Sequence, residues 1–186
     1  MLIYQLLMHL YLYDYGDIID SEFTVTKVHW SLTTAPAGTL IGDQREKEFT
    51  DNCKDKDVIA YRNHGAPDAW DFLTTGDLVT ITGTPIVDLG NTNPFILSLC
   101  CLTGCYEDHV NPTCKDYDGH DDNFAEAFFN LGAAVFIGAT EISFGEYNSP
   151  AGKWFFNNWD ADEDIGTVFT QLERDKWTGK VGKYCY

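Results

Sequence analysis

Three continuous apolar runs restrict the fold of this chain more than any other feature. Val58 to Asn63 leads into His64 and Gly65, Pro94 to Leu99 leads into Cys100 and Cys101, and Ala133 to Gly138 leads towards Thr140 and Glu141. Each is far shorter than the roughly 18 apolar residues of a membrane span. None alternates apolar with polar residues as a strand with one wet face does. Strands buried on both faces need helical layers above and below, which is the α/β arrangement with a mainly parallel sheet. Parallel strands bring their carboxyl ends to one edge, where open α/β sheets place their sites. An imidazole and a thiol distant in sequence are thereby predicted to meet.

The rest of the chain fits around these runs. The apolar start, Met1 to Leu10, reads as a buried strand or helix, and Phe23 to Trp30, rich in β-branched and aromatic residues, reads as a strand. The charged stretch Asp43 to Asp57 lies between strand candidates, so it predicts a crossover helix capped by Asp43. Residues 66–93, punctuated by Pro67, Gly76, Gly83, Pro85 and Gly90, predict a loop-rich crossover with a short helix or hairpin. A polar loop follows from Gly104 to Asp122. Asn123 with Glu126 then marks a helix start and Gly132 its end. A last helix is expected from about Ile165 to Lys176, after the acidic turn Asp160 to Asp164.

At 186 residues and 44% hydrophobic composition the chain suits a single domain with one full core. Its 29 acidic against 12 basic residues give a formal charge of -17, which repels nucleic acid and anionic membranes and attracts basic peptides or cations. Met1 to Leu10 holds no Lys or Arg, so it lacks the positive region of a secretory signal. An N-terminally shortened piece of a longer precursor stays open. The six cysteines form no dense disulfide framework and leave the compartment undecided.

A thiol becomes a nucleophile when an imidazole takes its proton. His64 and Cys101 suit those roles. Gly65, without a side chain, lets its N–H approach a substrate carbonyl, and the Cys101 N–H offers a second donor for the oxyanion. Four segments carry a resemblance: Asn63 to Trp70, Pro94 to Gly104, Asn123 to Phe128, and Gly132 to Thr140. In this order they resemble the catalytic core of gingipain-type cysteine peptidases of the caspase clan. The resemblance runs from about residue 57 to 145 and more faintly through Ile165 to Thr167.

The resemblance implies a caspase-like three-layer α/β sandwich and hydrolysis of peptide or protein substrates through a thioester. His64 is implied as general base and acid, Cys101 as nucleophile, Gly65 with Cys101 as the oxyanion hole, and no cofactor is required. It also suggests an extracellular or cell-surface protein. In the family a small residue, often alanine, precedes the nucleophile, and here Cys100 stands there. Trp70 and the segment Phe144 to Pro150 match places where the family builds the substrate pocket, with plain packing as the alternative for aromatic residues near a strand end. The acidic residue that orients the histidine is not assigned, and Asp68 and Asp71 read as solvated loop carboxylates. Two other functions stay open: a catalytically silent caspase-like binding or assembly module of a larger surface protein, and a thiol acyl-transfer enzyme acting on a non-peptide carbonyl.

Two further constellations compete for ligands. Cys105, His109, Cys114 and His120 have zinc-ligand chemistry in a spacing that fits no common zinc pattern, and a Cys105 to Cys114 disulfide is the alternative. Asp160, Asp162 and Asp164, or Asp116, Asp118, Asp121 and Asp122, offer oxygens to a structural calcium. Against an EF-hand, Ile165 stands where glycine is needed and Gln171 where glutamate is needed, so solvated acidic turns are the alternative.

Overall fold

The computed structural model describes residues 4–10, 23–28, 41–78, 86–105, 123–140, 142–143, 145–160 and 163–174. Its main sheet has five parallel strands: β1 (Tyr4–Leu10), β2 (Phe23–Val28), β3 (Val58–Arg62), β7 (Phe95–Ser98) and β8 (Val135–Gly138), in the spatial order β2-β1-β3-β7-β8. The apolar start is thus a strand, paired on one side with β2 and on the other with β3. Strand order reverses at β1 and β3, which is the switch point where such sheets form a crevice at their carboxyl edge. A three-stranded antiparallel meander follows β3: β4 (Gly65–Ala66), β5 (Ala69–Trp70) and β6 (Leu73–Thr74). The short helix α2 (Thr75–Leu78) follows it. Where the glycine and proline punctuation predicted a short helix or a hairpin, the crossover holds both a meander and a short helix.

Alternate strand residues face opposite layers. Ile59, Tyr61, Ile96 and Cys100 pack with Phe49 of α1 (Ile41–Asn52), Trp70 of the meander, and Phe124, Ala127 and Phe128 of α3 (Phe124–Asn130). Val58, Ala60, Phe95, Leu97 and Leu99 pack on the other side with Ala151, Phe155 and Phe156 of α4 (Gly145–Asn158), and Val168 and Leu172 of α5 (Ile165–Leu172). The result is a three-layer α/β sandwich around a mainly parallel sheet, the fold class that the apolar runs predicted.

Element ends depart from expectation in three places. α1 begins at Ile41, so Asp43 lies in its first turn and not at its cap. α1 also stops at Asn52, because Asp55 takes a left-handed φ of 55° before β3. β8 starts at Val135, which is 36% exposed, so its first half is not buried on both faces. The order of the described strands explains this, since β8 lies at its end and pairs with β7. α3 matches its sequence signals: Asn123 Oδ1 accepts from Glu126 N at 2.9 Å, and Gly132 takes φ 100° just past the end. No helix of the described residues is long and apolar enough to cross a membrane.

Candidate active site

The ladder between β3 and β7 sets the two reactive segments side by side. Tyr61 pairs with Ser98, and Leu99 N donates to Tyr61 O at 2.8 Å, so the strands leave the sheet together. His64 and Gly65 then follow on one chain and Cys100 and Cys101 on the other. Gly65 makes the contact: a Cβ built on it would lie 2.6 Å from Cys100 Sγ, 2.8 Å from Cys101 O and 2.9 Å from Thr103 Cγ2. No other residue fits there without moving the cysteine loop. His64 itself is exposed.

The chain turns sharply at the doublet. Leu102 takes a left-handed φ of 61°, a conformation that costs an ordinary residue of order 1–3 kcal/mol and recurs at functional sites. Gly104 N then donates to Ala139 O at 2.9 Å, which ties the turn to the end of β8. The two thiols end in different surroundings. Cys100 is fully buried, with its sulfur 3.1 Å from Ser98 Oγ and 3.7 Å from Thr103 Oγ1, and burial pushes its pKa up to about 12. It stays a protonated core residue at neutral pH. Cys101 is half-buried, and its thiol donates to Ser143 O at 3.1 Å.

Trp70 is 2% exposed. It stacks on Tyr61 with ring centroids 4.3 Å apart, meets Phe49, Phe124 and Phe128 edge-on or tilted, and donates from Nε1 to Ser98 Oγ at 2.8 Å. Trp70 is thus a packed residue of the core beneath the meander. Phe144 lies outside the described residues.

Asp71 is an exposed turn carboxylate, as read, but it is not free of partners. It forms an ion pair with the buried Arg45 of α1 and accepts from Asn63 Nδ2 at 3.0 Å. A buried guanidinium needs a charged partner, and Asp71 supplies it. The backbone N–H of Asp71 donates to Tyr61 Oη at 3.1 Å, and Tyr61 Oη donates to His64 O at 2.8 Å. The segment that carries the imidazole is thus braced from below, and burial raises the Tyr61 pKa so that the phenol keeps its proton. Sequence reading missed this brace, because Arg45 and Asp71 look like ordinary surface charges until α1 packs on the sheet. Asn148 lies within the Phe144 to Pro150 segment singled out in the sequence, but the burial of Ser143 and Asn148 beside the end of the nucleophile strand carried no local signal.

Cys105 is disulfide-bonded, while Cys53, Cys100 and Cys101 are free, so its partner lies outside the described residues. A disulfide sulfur has no thiolate for a metal, which removes Cys105 from the zinc series. His109, Cys114 and His120 lie outside the described residues, as do Asp116, Asp118, Asp121, Asp122 and Asp162. Asp164 caps α5, accepting from Gly166 N at 2.7 Å. Among the described residues no group of three or more His, Cys, Asp or Glu is placed to hold a metal ion.

Comparison with known proteins identifies the family and the fold. The model of peptidase family C25 matches residues 12–185. The chain belongs to peptidase family C25. Two solved structures share the fold of this C25 chain. One is the Arg-specific cysteine proteinase gingipain R, at TM-score 0.54 and 16% identity over 92% of this chain. The other is the complex of the pro- and mature domains of Porphyromonas gingivalis RgpB, at TM-score 0.53 and 12% identity over 92% of this chain. The C25 chain spans 42% and 43% of the lengths of those chains. Comparison with curated proteins gave no match. The gingipain likeness makes the three-layer sandwich a caspase-like one.

Proposed function

We propose that this C25 chain is a cysteine endopeptidase in which Cys101 attacks the scissile carbonyl and His64 acts as general base and then general acid. In the reaction read here, the Cys101 sulfur bonds to the carbonyl carbon, its proton passes to the imidazole, and the carbonyl electron pair moves to oxygen. The Gly65 and Cys101 N–H groups are assigned to that oxyanion. Collapse expels the amine, which takes the proton from His64, and water then hydrolyses the thioester.

The observation that carries this reading is the seat of Gly65 against the cysteine turn, with one thiol sealed in the core and the other half-exposed at the sheet edge. The family supports a peptide substrate. The test is labelling by peptidyl acyloxymethyl ketones bearing basic or apolar residues before the ketone, followed by peptide mapping. Cys101 is expected to carry the label, and His64→Ala to slow labelling by about a hundredfold or more. Label on Cys100 in place of Cys101 would overturn the assignment.

A silent binding or assembly module remains the second reading. It is favoured by the resting Cys101 thiol, whose proton is directed at Ser143 O at 3.1 Å. Wild-type protein that resists every peptidyl electrophile yet keeps its fold would support it.

A further inference from the structure

Ser143 and Asn148 have no part in the dyad, yet both are buried, at 6% and 3% exposure, Ser143 against the Cys101 sulfur and Asn148 against Ser143. Ser143 meets Cys101 through two atoms. Its backbone carbonyl accepts the thiol proton at 3.1 Å, and its hydroxyl, as donor, lies 3.9 Å from the same sulfur. Asn148, in the first turn of α4, bonds to Ser143 and to the nucleophile strand. Its Nδ2 donates to Leu99 O at 3.0 Å, at the end of the nucleophile strand, and to Ser143 Oγ at 2.9 Å.

The directions of these bonds are fixed by elementary inventory. A backbone carbonyl only accepts, so the Asn148 atom facing Leu99 is the nitrogen. Ser143 Oγ therefore accepts from the same amide, and its single proton is left to point elsewhere. The sulfur of Cys101 is the acceptor within reach. Among the described residues Asn148 Oδ1 is buried without a hydrogen-bond partner, at a cost of about 1–3 kcal/mol for an unsatisfied buried acceptor. The amide is held by what it donates, at the expense of what it accepts.

We propose that Ser143 is a catalytic residue that gives the Cys101 sulfur a hydrogen-bond donor once its proton has left, and that Asn148 is the positioning residue that aims this hydroxyl. The proposal rests on reading Cys101 as the nucleophile. In the resting state the Cys101 thiol keeps its proton and donates a hydrogen bond to the Ser143 carbonyl oxygen. When the imidazole takes that proton, the S–H to O=C bond is lost and the sulfur becomes an anionic acceptor. The Ser143 O–H to S⁻ bond replaces it, and serine transfers no proton. The 3.9 Å separation belongs to the neutral thiol; bonds to a charged acceptor are shorter, and such contacts tighten as an unliganded site enters catalysis.

The test is the iodoacetamide reaction of each cysteine near neutral pH, resolved by peptide mass spectrometry, because it reads the sulfur without requiring peptide hydrolysis. Ser143→Ala is expected to slow Cys101 alkylation by about tenfold, the worth of one hydrogen bond to a charged group. Ser143→Thr, which keeps the hydroxyl, is expected to restore most of the rate. Asn148→Ala should slow Cys101 in the same direction, and the double variant should lose no more than Ser143→Ala, since both changes remove one interaction. Cys53 and Cys100 should react as slowly as in the wild type; a rise there would mark general loosening and count against the proposal. Wild-type alkylation of Cys101 in Ser143→Ala, or additive losses in the double variant, would overturn it. If no variant and no wild-type protein cleaves peptides, the peptidase reading fails while the alkylation result still decides this one.

Discussion

At the scale of the residue, Gly65 and Cys100 carry the site's geometry between them. A methyl group on Gly65 meets sulfur on one side and a backbone oxygen on the other, and the backbone oxygen cannot rotate away. Gly65→Ala is therefore expected to destabilise by about 1–3 kcal/mol, as overpacking does, and to lower peptide cleavage more than stability explains. Urea unfolding paired with a cleavage assay separates the two effects, and unchanged cleavage would show that the contact does not set the site. The buried thiols give a pH signature. Burial raises Cys53 from 9.0 to about 11 and Cys100 from 9.0 to about 12. Both groups bind their protons more tightly when folded, so their contribution is complete below pH 9, the unfolded value, and is lost as pH rises through the folded values. Urea midpoints are expected to fall above about pH 9, and Cys100→Ala to flatten part of that fall. An equal slope in the variant would refute the assignment to Cys100.

At the scale of the element, β3, β7, α3 and the meander were legible because their signals are local. Continuous apolar runs, an Asn123 cap and a Gly132 stop need no distant partner to be read. Helix α4 was not legible, since Pro150 lies inside it and Gly145, Asn148 and Gly152 all weaken helical preference. It holds because Ala151, Phe155 and Phe156 pack against Val58, Phe95 and Leu97, so burial overrides propensity. Phe155→Ala is accordingly expected to cost about 3–5 kcal/mol, read as a lowered denaturation midpoint. A loss below about 1 kcal/mol would mean that α4 is held by something other than this packing. Of the candidate site, the strand ends and Gly65 could be read in sequence. The Arg45–Asp71–Tyr61 brace and the Ser143–Asn148 pair could not, because each joins residues that only the folded layers bring together.

At the scale of the whole molecule, the charge of -17 and the caspase-like sandwich bear on substrate encounter. An acidic protein draws basic peptides over distances that salt screens, with a Debye length of about 10 Å at 0.1 M. If Cys101 and His64 cleave peptides, kcat/KM for a lysine-rich substrate should fall as salt rises while that for a neutral substrate stays level. Equal salt dependence of the two would remove charge from the account. The central claim is hydrolysis by Cys101, and the most direct measurement is peptide release from denatured casein by the wild type, Cys101→Ala and Cys100→Ala, with circular dichroism confirming that each is folded. The account predicts release by the wild type and by Cys100→Ala, and none by Cys101→Ala. Release undiminished in Cys101→Ala, or no release by folded wild-type protein, would contradict it.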